Sequence, residues 1–161
     1  RQAKANVQKS PCRERIEVCH KDFHYFSPSA KYDLIISNPP FFEKHLTSPD
    51  EKINLARHTF QLPFDKLIHI VIELLEVDGI FYVLLPRFEM NKLEKLALTN
   101  DLFAANKLHI LNQPGKPPKA VICGFSTNNS GTVSSQLAIK NANNEYSYEF
   151  KEMLKAFYLH L

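Results

Sequence analysis

Apolar residues fall into two patterns along this chain, short unbroken runs and one-sided stripes. Their alternation predicts an α/β fold. Tyr32 to Ser37 contains the run Leu34-Ile35-Ile36, the pattern of a parallel strand covered on both faces, and Ile80 to Leu85 is a second such run, closed by Pro86. Between them, Pro63 fits the first position of a helix whose inward stripe is Leu67, Ile70, Val71, Leu74 and Leu75, with Gly79 as its C-cap. Phe88 to Leu98 predicts the next helix, with Met90, Leu93, Leu96 and Ala97 inward. Upstream, residues 1 to 9 read as the last turns of a helix broken by Ser10-Pro11, and Ile16 and Val18 alternate with polar neighbours in a strand from about Arg15 to His20.

After Leu98 the rhythm changes. Residues 106 to 112 and 119 to 126 predict two strands joined by Gln113-Pro114-Gly115-Lys116-Pro117-Pro118, a connection that suits an antiparallel pair. Val133, Ser135, Leu137 and Ile139 alternate with Ser134, Gln136 and Ala138, as in a strand with one buried face at a sheet edge or folding over it. Phe150, Met153, Leu154, Phe157, Tyr158 and Leu161 form a stripe that predicts a C-terminal helix docked as core. The stretch from Phe42 to Gln61 is polar and without clear period, the signature of a long loop of the kind that serves as a lid or binding segment.

Composition narrows the class. At 161 residues and 44% apolar content the chain is sized for one domain with a substantial core. No apolar run approaches the ~20 residues of a membrane span, and the first residues lack a signal-peptide core, so a cytoplasmic protein with no membrane partner is expected. Cys12, Cys19 and Cys123 make no close pair, and their spacing with His20 and His24 matches no zinc pattern, so no metal is expected. A net charge of +3 permits an acidic partner such as RNA.

The candidate chemistry lies at Asn38-Pro39-Pro40-Phe41, directly after the first apolar run. Ligands of open α/β sheets bind beyond the carboxyl ends of the strands. There, the Asn38 side-chain carbonyl and the Pro39 carbonyl offer two acceptors, Phe41 offers a stacking face, and the prolines stiffen the backbone carrying them. Such a rim suits a flat group bearing an amine. Asp22, at the end of the Arg15–His20 strand, is expected on the same rim. The loop residues Lys44, His45, Lys52, Arg57 and His58, and Lys116 and Lys119 of the later turn, are candidates for contact with a phosphate backbone.

The tetrapeptide resembles the Asn-Pro-Pro-Tyr/Phe signature of amino-group methyltransferases that use S-adenosylmethionine. Together with Ala56-Arg57-His58-Thr59, Leu84-Leu85-Pro86 and the Phe157-Tyr158-Leu159 ending, the chain resembles, over its whole length, the bacterial tRNA adenine-N6-methyltransferases that modify valine tRNA beside the anticodon. The resemblance implies a Rossmann-like class I methyltransferase sheet with antiparallel C-terminal strands, a tRNA partner, and S-adenosylmethionine as cofactor. It implies that Asn38 and Pro39, with Pro40, hold the target amino group and that Phe41 stacks on the adenine. It further implies that Asp22 accepts a hydrogen bond from the cofactor's adenine, with Phe23 packed beside it and Asn38 facing the cofactor as well. Phe41 stands where many relatives carry Tyr, a change that preserves stacking.

One departure is large. The four glycines, at 79, 115, 124 and 131, form no glycine-rich phosphate or cofactor turn, and no acid follows a second strand to hold a ribose. The N-terminal strands of such a domain are therefore expected to be missing from residues 1 to 161, a single methyltransferase domain read as about the C-terminal two-thirds. Two rivals share the motif. A protein-glutamine N5-methyltransferase would need a groove for a peptide, and a non-catalytic RNA-binding module would not depend on Asn38.

Overall fold

A computed structural model of the chain describes residues 2–22, 26, 30–39 and 63–158. The elements are α1 (Gln2–Gln8), a 3₁₀ turn (Arg13–Arg15), β1 (Tyr32–Ser37), α2 (Phe64–Leu74), β2 (Leu75–Leu85), α3 (Arg87–Leu98), β3 (Phe103–Leu111), β4 (Pro118–Ser126), β5 (Val133–Ala138) and α4 (Tyr148–Leu154). The strands form one sheet in the order β1-β2-β4-β3-β5. β1 and β2 run parallel, β4 is antiparallel to both β2 and β3, and β5 lies parallel to β3 at the outer edge. The predicted antiparallel pair and edge strand are thus both present, but β5 lacks the expected buried face: it buries only Leu137, and Val133 is 73% exposed.

The core lies on one face of this sheet. Phe81, Val83 and Leu85 of β2 stand directly opposite Phe125, Cys123 and Val121 of β4, so these six side chains point the same way. Against them pack Leu67, Ile68 and Val71 of α2 and Met90, Leu93 and Ala97 of α3. Burying each large side chain contributes about 1.5–3 kcal/mol, which makes this layer the main source of stability. Pro63 and Pro86 precede α2 and α3, and their carbonyls accept from Leu67 N and Met90 N at 3.0 and 2.9 Å. Lys107 Nζ sits 2.7 Å from the Glu94 carboxylate, tying β3 to α3.

Four expectations are corrected. The run Leu34-Ile35-Ile36 is not covered on both faces: Leu34 is 52% exposed and Ile36 73%, because β1 pairs only with β2 among the described residues, and α2 and α3 pack on the other side. No strand spans Arg15 to His20; the segment leaves its 3₁₀ turn as irregular chain, with no described partner to complete a ladder. Gly79 does not cap a helix. α2 already ends at Leu74, and Gly79 lies within β2, where a Cβ would come within 2.9 Å of the Tyr32 carbonyl oxygen. The C-terminal stripe is not core: α4 is seven residues long with no buried residue, and Phe157 is 80% exposed. Ser147 caps α4 by accepting from Phe150 N at 3.1 Å, so the helix forms from its cap rather than from a buried face.

Candidate active site

The site begins where β1 stops. Ser37 is the last residue of β1 and pairs with Val83 of β2; Pro39 lacks an N–H, so the ladder cannot continue past Asn38. Pro39 is buried, whereas Asn38 is exposed. The buried ring fixes the backbone while the side-chain amide faces solvent. Next to this point β2 ends at Leu85 and Pro86, which gives two adjacent parallel strands that both terminate in proline at one rim.

The register extends that rim across the sheet. Because β4 is antiparallel to both β2 and β3, β3 runs in the direction of β1 and β2, and the turn between β3 and β4 lies at their carboxyl ends. Lys116 and Lys119 are therefore on the same rim as Asn38, and both are exposed. Gly115 in this turn has φ 75°, a conformation glycine adopts without strain, and Lys116 N donates to Gln113 O at 3.2 Å to close it. Arg87, directly after Pro86, and Lys140, just beyond β5, also reach this rim. Sequence patterning missed them because their placement follows from strand order, which no local pattern encodes.

Asp22 is exposed and stands in irregular chain, so the expected placement at the carboxyl end of a preceding strand is withdrawn with that strand. Phe23, Pro40, Phe41, Lys44, His45, Lys52, Arg57 and His58 lie outside the described residues.

The fit to S-adenosylmethionine is partial. The rim presents an exposed Asn38 beside a buried Pro39, but no glycine cradles a ligand. The space beside Gly79 is filled by Tyr32 and Leu75, and that beside Gly124 by Asn106 and Tyr82. Gly115 and Gly131 have open space but lie in turns at positive φ. Residues to hold the methionine and ribose portions are not found among those described, and no step through that portion is derived. Among the described residues no helix is long and apolar enough to cross a membrane.

Parallel strands covered by helices, with antiparallel β4 inserted between β2 and β3, form the sheet of a Rossmann-like class I methyltransferase fold. A solved structure described as a predicted O-methyltransferase from Agrobacterium tumefaciens superposes with a TM-score of 0.64 at 12% identity, over 94% of this chain and 70% of that one. No family model matches the chain. Its sequence is 37% identical over 160 residues to the tRNA1(Val) (adenine(37)-N6)-methyltransferase of Bacteroides thetaiotaomicron, covering 99% of this chain and 68% of the relative. The protein of the same name from Yersinia enterocolitica is 34% identical over 160 residues, covering 98% of this chain and 64% of the relative. The chain belongs to the tRNA1(Val) (adenine(37)-N6)-methyltransferase family.

Proposed function

We propose that the protein transfers a methyl group from S-adenosylmethionine to the N6 amino group of an adenine in tRNA, adenine 37 of valine tRNA by kinship. The carrying observation is the exposed Asn38 followed by the buried Pro39 at the end of β1, in a chain with relatives that bear that activity in their names. The adenine N6 is a weak nucleophile because its lone pair is shared with the ring. Asn38 Oδ1 and the Pro39 carbonyl accept its two hydrogens, which draws them out of the base plane and returns the pair to nitrogen. The cofactor supplies an electrophilic sulfonium methyl when bound. As the N–C bond formed and the methyl's bond to sulfur broke, the pair would stay on sulfur as a neutral thioether, N6 would become cationic, and its extra proton would be acidic enough to leave past the same acceptors to solvent, so no strong base is required. Phe41 is the proposed stacking plate for a base turned out of the anticodon loop, and Asp22 and Phe23 the proposed contacts to the cofactor's adenine.

The glycine cradle and ribose acid are proposed to lie in the part of the domain that these 161 residues do not supply, consistent with the 68% of the Bacteroides relative they span. Calorimetry on residues 1–161 should then read weak cofactor binding or none, and tight binding would overturn that division.

The test of function is transfer of a labelled methyl group by the enzyme to total tRNA and, in parallel, to a glutamine-bearing protein. Label in tRNA at adenine N6 is expected; label in protein alone would move the reading to glutamine. Asn38→Ala should lower the rate about 10²–10³-fold, the effect of losing one oriented partner at a reacting centre, with tRNA affinity nearly intact. Equal activity in that variant would remove Asn38 from the chemistry.

A further inference from the structure

On the rim that carries Asn38 the strand ends beyond β2 are basic, while the first turns of α2 and α3 bring Asp65 and Glu89 there beside Lys66 and Arg87. Between Asp101 and Glu145 the chain contains four lysines and no Asp or Glu. Lys107 is neutralised by Glu94 on the core face. The other three, Lys116, Lys119 and Lys140, all fall at the carboxyl ends of the parallel strands. Lys116 and Lys119 form no ion pair with any described residue. Lys140 Nζ donates to a neutral group, Asn144 Oδ1, at 3.0 Å. The opposite rim differs in sign, since Glu76, Asp78 and Asp101 there outnumber Lys31 and Lys95.

Aromatic rings accompany these charges. Tyr146 stacks on Phe150 with centroids 5.4 Å apart and is still 46% exposed. Its loop is held in place: Asn141 Oδ1 accepts from Asn143 N and Glu145 N at 2.9 and 3.1 Å, and Ser147 Oγ donates to Ala138 O at 2.6 Å. The loop's one acid, Glu145, is tied to Asn141 Nδ2 at 3.1 Å. Exposed rings set among lysines are the arrangement that takes unpaired bases and their phosphates, and a line of separated lysines follows a backbone better than it fits one acidic side chain.

We infer that this rim is an RNA track: the strand flanking the target adenine leaves Asn38 and crosses the ends of β2, β4 and β3 toward β5. Lys116, Lys119 and Lys140 contact successive phosphates, and an unpaired base stacks on Tyr146. Four strand spacings separate β1 from β5, roughly 19 Å, so the track reaches a few nucleotides beyond the modified base. It rests on the proposed tRNA substrate and adds to it where the RNA lies.

The test is tRNA binding by the enzyme across a salt series, with K116A/K119A/K140A beside the parent. The slope of log affinity against log salt should shrink by about 2 to 3, since each lost phosphate contact removes roughly 0.7–0.9. The KM for tRNA should rise at least tenfold with the cofactor Kd unmoved. Tyr146→Ala should weaken binding at every salt concentration and leave the slope alone. Lys107→Ala is the control, expected to lower Tm without altering the slope. A triple variant with parental slope and KM overturns the track. A parent whose tRNA binding shows the lysine-dependent slope, yet which transfers no methyl, supports the track and sinks the activity reading instead.

Discussion

Cys123 sits fully buried on the core face of β4, and burial pushes its thiol up to about 12, with the nearby Glu94 charge adding to the effect. The unfolded thiol ionises near 9.0 and the folded one only near 12. Stability linked to this group is therefore intact below pH 9 and is lost progressively as pH rises from 9 toward 12. A thiol titration of the native protein should find Cys12 and Cys19 reactive and Cys123 silent until denaturant is added, and Cys123→Ala should flatten the alkaline decline in stability. Three reactive thiols in the native state would contradict the burial. Other residues were legible before any coordinates: Asn38-Pro39 announced its rim through one fact, that proline ends a ladder. Asp22 did not, because its placement was inferred from a strand that needs a neighbour, and two alternating apolar residues, Ile16 and Val18, say nothing about whether one exists.

At the scale of elements, Gly79 joins fold to site. A Cβ there would meet the Tyr32 carbonyl oxygen and Leu75 Cδ1 at 2.9 Å and the Glu76 carbonyl oxygen at 3.0 Å, and backbone oxygens in paired strands cannot move aside cheaply. Gly79→Ala should cost about 1–3 kcal/mol and shift β1, lowering Tm by several degrees and methyl transfer further than the stability loss explains. An alanine variant with parental melting and rate would show that the contact relaxes freely. This glycine was misread as a helix cap because its constraint comes from a strand remote in sequence. The β3–β4 pair was legible since its turn is written locally in Pro114-Gly115, and α3 since Met90, Leu93 and Ala97 keep helical spacing. The C-terminal stripe kept the same spacing, yet among its described residues Phe150 and Leu154 are only half-buried and Met153, Phe157 and Tyr158 are exposed, for periodicity reports which side chains share a face and not what stands opposite.

The whole molecule adds what neither residues nor elements contain, the order of strands. An α/β class followed from alternation, but nothing local places β4 between β2 and β3, and that insertion is what turns β3 to run with β1 and brings Lys116 to the rim of Asn38. It also separates two kinds of closure. The β3–β4 hairpin closes over a short turn, whereas β1 must find β2 across residues 38–74, and once there it is held through that single described neighbour. Long loops cost entropy before their contacts return any, so such a strand joins late and leaves early. Native-state hydrogen exchange should therefore show the Leu34–Ser37 amides opening below the global free energy while Ile122–Phe125 exchange only on full unfolding; equal protection would refute this. The margin that bears Asn38 should then fray before the β3–β4 hairpin on warming, and activity should fade before the hairpin melts.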